Sequence, residues 1–259
     1  MNPPSLDTNT LSSLWDGLSP HLIASFYEVE RGGTDRQAWL PVQGGPSVKA
    51  PLTEANLELL LNWQSPFENA GADKGMPSLS AMLQSGALQP FVSDNGKASE
   101  SLGKFEGRTG ITKLNSTQVF SGMPPVKLQV TALFRAWRNA LTEVEAPIDQ
   151  LMKWALPKEL ATEGPILSLI EGAKQVASGK PLDGAAAQAL LPSLAPCKIA
   201  MKYKGRLLSP LVIESIGQPW SSPVDKGGRF VEMAVPMTLC TLTALDRNDW
   251  NQVTAGLQK

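Results

Sequence analysis

Residues 126–134 constrain the fold of this chain more than any other stretch. Val126, Leu128, Val130, Ala132 and Phe134 alternate with Lys127, Gln129, Thr131 and Leu133. Side chains of a β-strand alternate between two faces, so this period of two predicts a strand with one buried and one mostly exposed face. Residues 229–245 predict a second, longer strand, with Val231, Met233, Val235, Met237 and Leu239 in phase. Pro236 inside it has no N–H for a ladder, which predicts an edge position or a bulge. Strands of this kind need an apolar layer to cover them. Residues 147–156 offer one, with Ile148, Leu151, Met152 and Ala155 at i, i+3, i+4 and i+7. Pro147 suits a first helical turn, and Pro157 stops the helix.

Other strands are expected at 22–29, at the short apolar run 39–42, at 198–204 (Ile199, Met201 and Tyr203 on one face) and at 207–216. Gly205-Arg206 predicts a tight turn between the last two. Residues 105–122 place β-branched residues between glycines and predict one or two strands. Ser13, Leu14, Trp15 and Leu18 predict a short helical start. Thr53 reads as an N-cap before a helix carrying Leu57, Leu60 and Leu61. Further helices are expected at 77–83 and 166–177, followed by an Ala-rich segment at 184–191. Loops are expected at 93–104 and 217–228. The fold class is α+β: an antiparallel sheet or barrel packed against one main helix, with helical and loop insertions. Three divisions follow: 1–104 as amino-terminal decoration and part of the core, 105–250 as a β domain with a helical insertion at 158–196, and 251–259 as a tail.

The 259 residues, 42% hydrophobic, suffice for a buried core. Charged residues make up 18%, below the roughly 25% of typical soluble domains. Such a surface suits coverage by neighbouring subunits. The net charge of −1 gives no electrostatic case for nucleic acid or anionic membrane as a main partner. No apolar run approaches the roughly 18 residues that a membrane helix needs. The polar start, Met1-Asn2-Pro3-Pro4, lacks a basic and apolar leader pattern, so folding in a cytoplasm is expected. Cys197 and Cys240 lie far apart without metal-ligand spacing and read as buried free thiols rather than a disulfide or zinc site.

The sequence holds no convincing catalytic pattern. His21 is the one histidine, and alone it supplies neither a metal site nor a convincing catalytic base. No nucleophile elbow, dinucleotide fingerprint or phosphate-binding loop is present. Ser101-Leu102-Gly103-Lys104 matches S-x-x-K without its companion motifs and reads as loop. Glu143 and Glu145 read as acidic residues entering a helix. Asp246 and Asp249 lack the glycine and distal glutamate of a calcium loop and read as a solvated cap after the long strand. The expectation is a protein with no catalytic, cofactor or metal residues. Trp137, Trp154, Trp220 and Trp250 fit core or subunit packing better than base stacking.

The order of elements carries a family resemblance. The strand of residues 125–134 (PVKLQVTALF) leads through a polar linker to a helix in EVEAPIDQLMKWALP. A strand hairpin follows, containing Val212-Ile213-Glu214-Ser215-Ile216. A loop with Asp225-Lys226-Gly227-Gly228 then opens the long strand RFVEMAVPMTLCTL. Over about residues 105–250 this pattern resembles the tail-tube fold of contractile phage tails and related injection systems. The long insertion at 158–196 and the first hundred residues exceed a minimal tube subunit. They make the chain most similar to a baseplate protein that initiates the tube.

The resemblance implies a homo-hexameric ring at the junction of baseplate hub and tail tube, templating tube assembly. It implies strand edges that pair between subunits around a β-lined lumen. The implied partners are the tail tube protein, hub and wedge proteins and the tape-measure protein, with DNA only passing through the lumen. The implied location is the host cytoplasm during assembly, then the tail of the virion. The interface candidates are Trp220, Asp225, Lys226, Arg229, Val231, Met233 and Val235. Trp220 is an anchor flanked by prolines in a loop that meets the adjacent ring. A non-enzymatic adaptor or chaperone-like component of a secretion or conjugation apparatus shares the lack of catalytic motifs and would stay monomeric or dimeric.

Overall fold

The structure is a computed structural model that describes residues 9–32, 38–64, 117–161 and 193–257. The described strands are β1 (Thr10–Ser12), β2 (Ile23–Gly32), β3 (Ala38–Pro41), β4 (Ser47–Glu58), β5 (Asn62–Gln64), β6 (Val119–Gly122), β7 (Lys127–Arg135), β8 (Lys198–Tyr203), β9 (Arg206–Ile216) and β10 (Glu232–Thr241). Two α-helices accompany them, α1 (Ala146–Ala155) and α2 (Arg247–Thr254). The expected helices at 77–83 and 166–177, the Ala-rich segment at 184–191, the loop at 93–104 and most of the 105–122 strands lie outside the described residues. The chain is a mixed α+β protein dominated by one large sheet. No described helix is long and apolar enough to cross a membrane.

The chain divides into two compact units, residues 1–59 with 125–259, and residues 60–124. In the first unit, neighbouring strands run β1-β4-β7-β10-β9-β8-β2-β3, and β2 also pairs with β4. That extra pairing closes β4, β7, β10, β9, β8 and β2 into a six-stranded barrel. Every pairing around it is antiparallel. β4 closes the ring by serving two neighbours in turn. Residues 47–51 face β2, the register shifts between Leu52 and Glu54, and the rest of the strand faces β7 as far as Glu58↔Lys127. A bulge of this kind bends a strand and increases its twist, which a small barrel requires. The chain leaves the barrel at Glu58 and re-enters at Lys127, a pair in register, so the intervening residues form an insertion into one β-hairpin.

The alternation in β7 is obeyed residue by residue. Leu128, Val130, Ala132 and Phe134 are buried, and Lys127 and Gln129 are exposed. β10 buries Met233, Val235, Met237 and Leu239 toward the same core. There they meet Ala24 and Phe26 of β2, Val48 and Ala50 of β4, Ile199 of β8 and Leu211 of β9. α1 adds Ile148, Leu151 and Trp154. Trp154 joins the buried stripe where the sequence pattern pointed to Met152 and Ala155, which are only half-buried. Pro147 occupies the first turn, and the helix ends at Leu156, whose backbone is extended ahead of Pro157.

Several expectations are corrected. Residues 53–58 are strand, not helix, and Leu59, Leu60 and Leu61 that follow are exposed. Helix propensity of Leu, Glu and Ala differs between residues by only tenths of a kcal/mol. A row of ladder bonds to β7 outweighs it. Residues 16–18 form a turn rather than a helical start. The β8–β9 turn is Lys204-Gly205, both with positive φ (47° and 75°), flanked by the Tyr203↔Arg206 pair. Two such residues match the twist of a two-residue hairpin. β10 is shorter than expected and central, not at an edge. Pro236 is tolerated because its amide side faces the point where β9 stops pairing. The Pro236 carbonyl there accepts only from Gly217, at 2.8 Å. The register shift opposite Thr238 and Leu239 lies elsewhere and belongs to β9, where Glu214 is the extra residue between Ile213 and Ser215. Asp246 caps α2, a helix absent from the sequence reading. Its carboxylate accepts from the N–H groups of Asn248 and Asp249, while Asp249 accepts from the Asp246 N–H.

In the second unit, β5 and β6 pair antiparallel, and Trp63 and Phe120 pack at 5.4 Å between ring centroids.

Phe134→Ala is expected to destabilise the protein by about 3–5 kcal/mol, because a fully buried aromatic leaves a cavity at the barrel centre. Gln129→Ala on the outer face of the same strand should stay within about 0.5 kcal/mol. Urea unfolding of the two variants checks the contrast.

Candidate functional site

Residues 217–231 connect β9 to β10, and their conformation is built from internal hydrogen bonds. Asp225 Oδ1 accepts from the N–H of Gly227 at 2.7 Å and of Arg229 at 3.0 Å. The Gly228 N–H donates to the Asp225 carbonyl at 3.0 Å, with Gly228 at φ 80°. These two backbone N–H donors, aided by the nearby Arg229 and Lys226 charges, hold the Asp225 carboxyl below its ordinary value. The Asp225-Lys226-Gly227-Gly228 run is therefore a self-contained turn. Beyond it, the Ser222 N–H donates to Pro219, and the Val231 N–H donates to Pro223.

The seven candidate interface residues separate into three groups. Trp220 is 79% exposed, the largest value among the exposed large apolar side chains of the described residues, and sits on a loop pinned at both ends. Lys226 is also exposed, whereas Arg229 pairs with Glu145 at 3.6 Å. Val231 is half-buried, and Asp225 spends its carboxylate on the turn. Met233 and Val235 are corrected: both are fully buried in the barrel core, because the in-phase face of β10 points inward.

A feature that the sequence reading missed lies beside this loop. Glu143 is only 6% exposed, and its carboxylate accepts from the backbone N–H groups of Trp137, Arg138 and Asn139. Its own carbonyl accepts from Ser13 Oγ at 2.8 Å, and that hydroxyl oxygen in turn accepts from the Arg135 N–H at 2.9 Å. Residues 141–145 form a π-helical turn that places Glu143 under the 137–139 turn. Asn139 Oδ1 accepting from the Leu141 N–H adds a second cap, at 3.0 Å. The expectation of acidic residues at a helix entry holds, and the role is larger than that. One buried carboxylate satisfies several N–H groups that would otherwise be orphaned.

The clasp fixes one wall of a cleft of about 590 Å³ lined by Leu14, Trp15, Asp16, Leu18, Trp137 and Arg138. Trp137 is largely exposed, with the Arg135 guanidinium 5.8 Å from its ring centre. The indole N–H of Trp15 is buried with no hydrogen-bond partner among the described residues. In the separate unit of residues 60–124, Leu60, Leu61, Trp63, Val119 and Phe120 are all about half exposed.

Among the described residues, no three His, Cys, Asp or Glu side chains converge as a metal site. His21 lies in a single 3₁₀ turn on the surface. Cys197 and Cys240 are free thiols, the first buried and the second half-buried. Burial pushes the Cys197 thiol up, and the neighbouring Glu28 carboxylate adds to the effect, so it is a poor nucleophile.

The chain matches no protein-family model and no curated protein. The first unit carries an exposed tryptophan on a hydrogen-bonded loop and an aromatic cleft, and the second unit carries an apolar two-stranded ribbon.

Glu143→Ala should cost about 2–3 kcal/mol by leaving buried N–H groups unpaired, with thermal unfolding as the readout. The Asp225 turn should open in acid. A carboxyl lowered in the folded state stabilises above its unfolded value, and that contribution is lost as pH falls through the depressed value. The protection of the Gly227 and Arg229 amides, relative to their intrinsic exchange rates, should fall as the pH drops through the Asp225 titration, and Asp225→Ala should lack that protection at neutral pH.

Proposed function

We propose that the chain is a structural subunit of a contractile tail or related injection device. In this reading six copies form a ring that joins the baseplate hub to the tail tube and templates the tube. One observation carries it. The elements on which the tail-tube resemblance rests form one spatial neighbourhood, with β10 lying between β7 and the β8–β9 hairpin and α1 packed on the same core. The remaining partners are those of such a junction: the tube protein, hub and wedge proteins, the tape-measure protein, and DNA in transit. The tail-tube type of the barrel belongs to this proposal as well.

The contacts of the ring differ from those expected. Both edges of β7 and of β10 are paired within one chain, so neither strand is open to a neighbour. What the described residues leave for assembly is the outer edge of β1, the outer edge of β3, the apolar β5–β6 ribbon and the 217–231 loop. The ribbon matters most for stability of the arrangement, because a two-stranded ladder with exposed Trp63 and Phe120 is marginal until something covers it.

Barrel closure also favours a second reading. A subunit whose ladder edges are satisfied internally suits a non-enzymatic adaptor or chaperone-like component of a secretion or conjugation apparatus. The two readings differ in stoichiometry. Light scattering and electron microscopy of the chain, alone and mixed with its tube protein, should reveal six-fold rings of six 27.7 kDa chains. A monomer or dimer under both conditions overturns the ring and leaves the adaptor.

A further inference from the structure

We infer that Glu28 is a latch: it holds the foot of the 158–196 insertion against the barrel, and its release uncovers the Cys197 thiol. The device lies within the first unit and does not depend on the ring reading.

The foot is a short antiparallel pairing between the described ends of the insertion. The Leu194 N–H donates to the Glu159 carbonyl at 2.8 Å, and the Ala161 N–H donates to Ser193 Oγ at 3.2 Å. The Glu159↔Leu194 bridge, carried two residues back, sets Pro157 opposite Pro196. Neither proline has an N–H, so the ladder cannot run on from the foot into the barrel. Apolar packing does not replace it, since Leu156, Leu160 and Leu194 are all more than half exposed.

What ties the foot to the barrel, among the described residues, is one ion pair. Lys158 Nζ donates to Glu28 Oε1 at 2.8 Å. The Glu28 side chain is mostly shielded and that of Lys158 is half exposed, so the anchor sits in the barrel and the arm reaches to it from solvent. Glu28 lies on β2 opposite Ile199 of β8, and Cys197 precedes Ile199 by two residues, on the same face of that strand. Diagonal neighbours of this kind are within side-chain reach. Lys158 is close to both: the Glu28 carboxylate raises the Cys197 thiol and the Lys158 ammonium lowers it. Cys197 directly follows the foot and is only 7% exposed. A bond between partly exposed charges is weak, so opening the foot costs far less than unfolding the barrel.

The rate at which iodoacetamide labels each thiol of the folded protein, read by peptide mass spectrometry, tests the latch. Cys240 on β10 is the internal control. Glu28→Gln should speed the labelling of Cys197 by roughly three- to tenfold and leave Cys240 unchanged. Lys158→Met separates release of the foot from a change of charge. Loss of the ammonium alone disfavours the thiolate and slows labelling, whereas release of the foot speeds it. The double variant should be no faster than Glu28→Gln, because both substitutions break the same bond. Slower labelling in Lys158→Met overturns the latch, as does an unchanged Cys197 rate in Glu28→Gln or a double variant whose effects multiply. Equal acceleration of Cys197 and Cys240 also overturns it, since Glu28 then supports the whole barrel rather than the foot.

Discussion

The pairing of Ile23–Pro51 through Tyr27–Ser47 is the constraint on which the rest of the molecule depends. Without it, the first unit is an open sheet with two long edges. With it, six strands share one closed set of ladder bonds and one interior. β4 makes this possible by pairing its first half with β2 and, past the Leu52/Glu54 shift, its second half with β7, so one twelve-residue strand joins the two ends of the sheet. The alternating faces of β7 and β10 then point to a common centre, where Phe134, Leu239 and Trp154 are fully buried.

Closure also decides how such a protein can meet others. An open edge is a template for strand addition, and a barrel removes it. The strands with the strongest patterns thereby keep no open edge, and the exposed aromatic groups lie on the connections instead. The 217–231 loop and the Glu143-clasped turn both flank the start of β10, so the barrel sets the separation of Trp220 and Trp137. The clasp shows the coupling plainly: Ser13 links the amino-terminal strand to residue 143 across 130 positions of sequence.

Local patterns were legible wherever a residue's environment follows its sequence neighbours. β7, α1 and the β8–β9 hairpin are read directly from periodicity and turn chemistry. The exposed Trp220 is read from its flanking prolines. Residues 53–61 misled because their leucines and glutamates fit a helix locally, while the ladder to β7 is a partner seventy residues away. Met233 and Val235 misled in a different way. The in-phase pattern identifies a buried face but not whether a chain or its neighbour buries it. The cleft could not be read at all, since Trp15 and Trp137 become neighbours only through Ser13 and Glu143. The Asp246–Asp249 capping box is legible in the sequence as a cap, while the short α2 behind it carries too little apolar periodicity to be read.

The sequence by itself determined which residues alternate, where turns and caps fall, and that few charges crowd the surface, because these depend on bonds and sterics within a few residues. Tertiary structure alone decided that the sheet closes, that β4 is strand throughout, and that one carboxylate braces a cleft. Each of those depends on contacts between segments far apart in the chain, whose energies no local pattern contains.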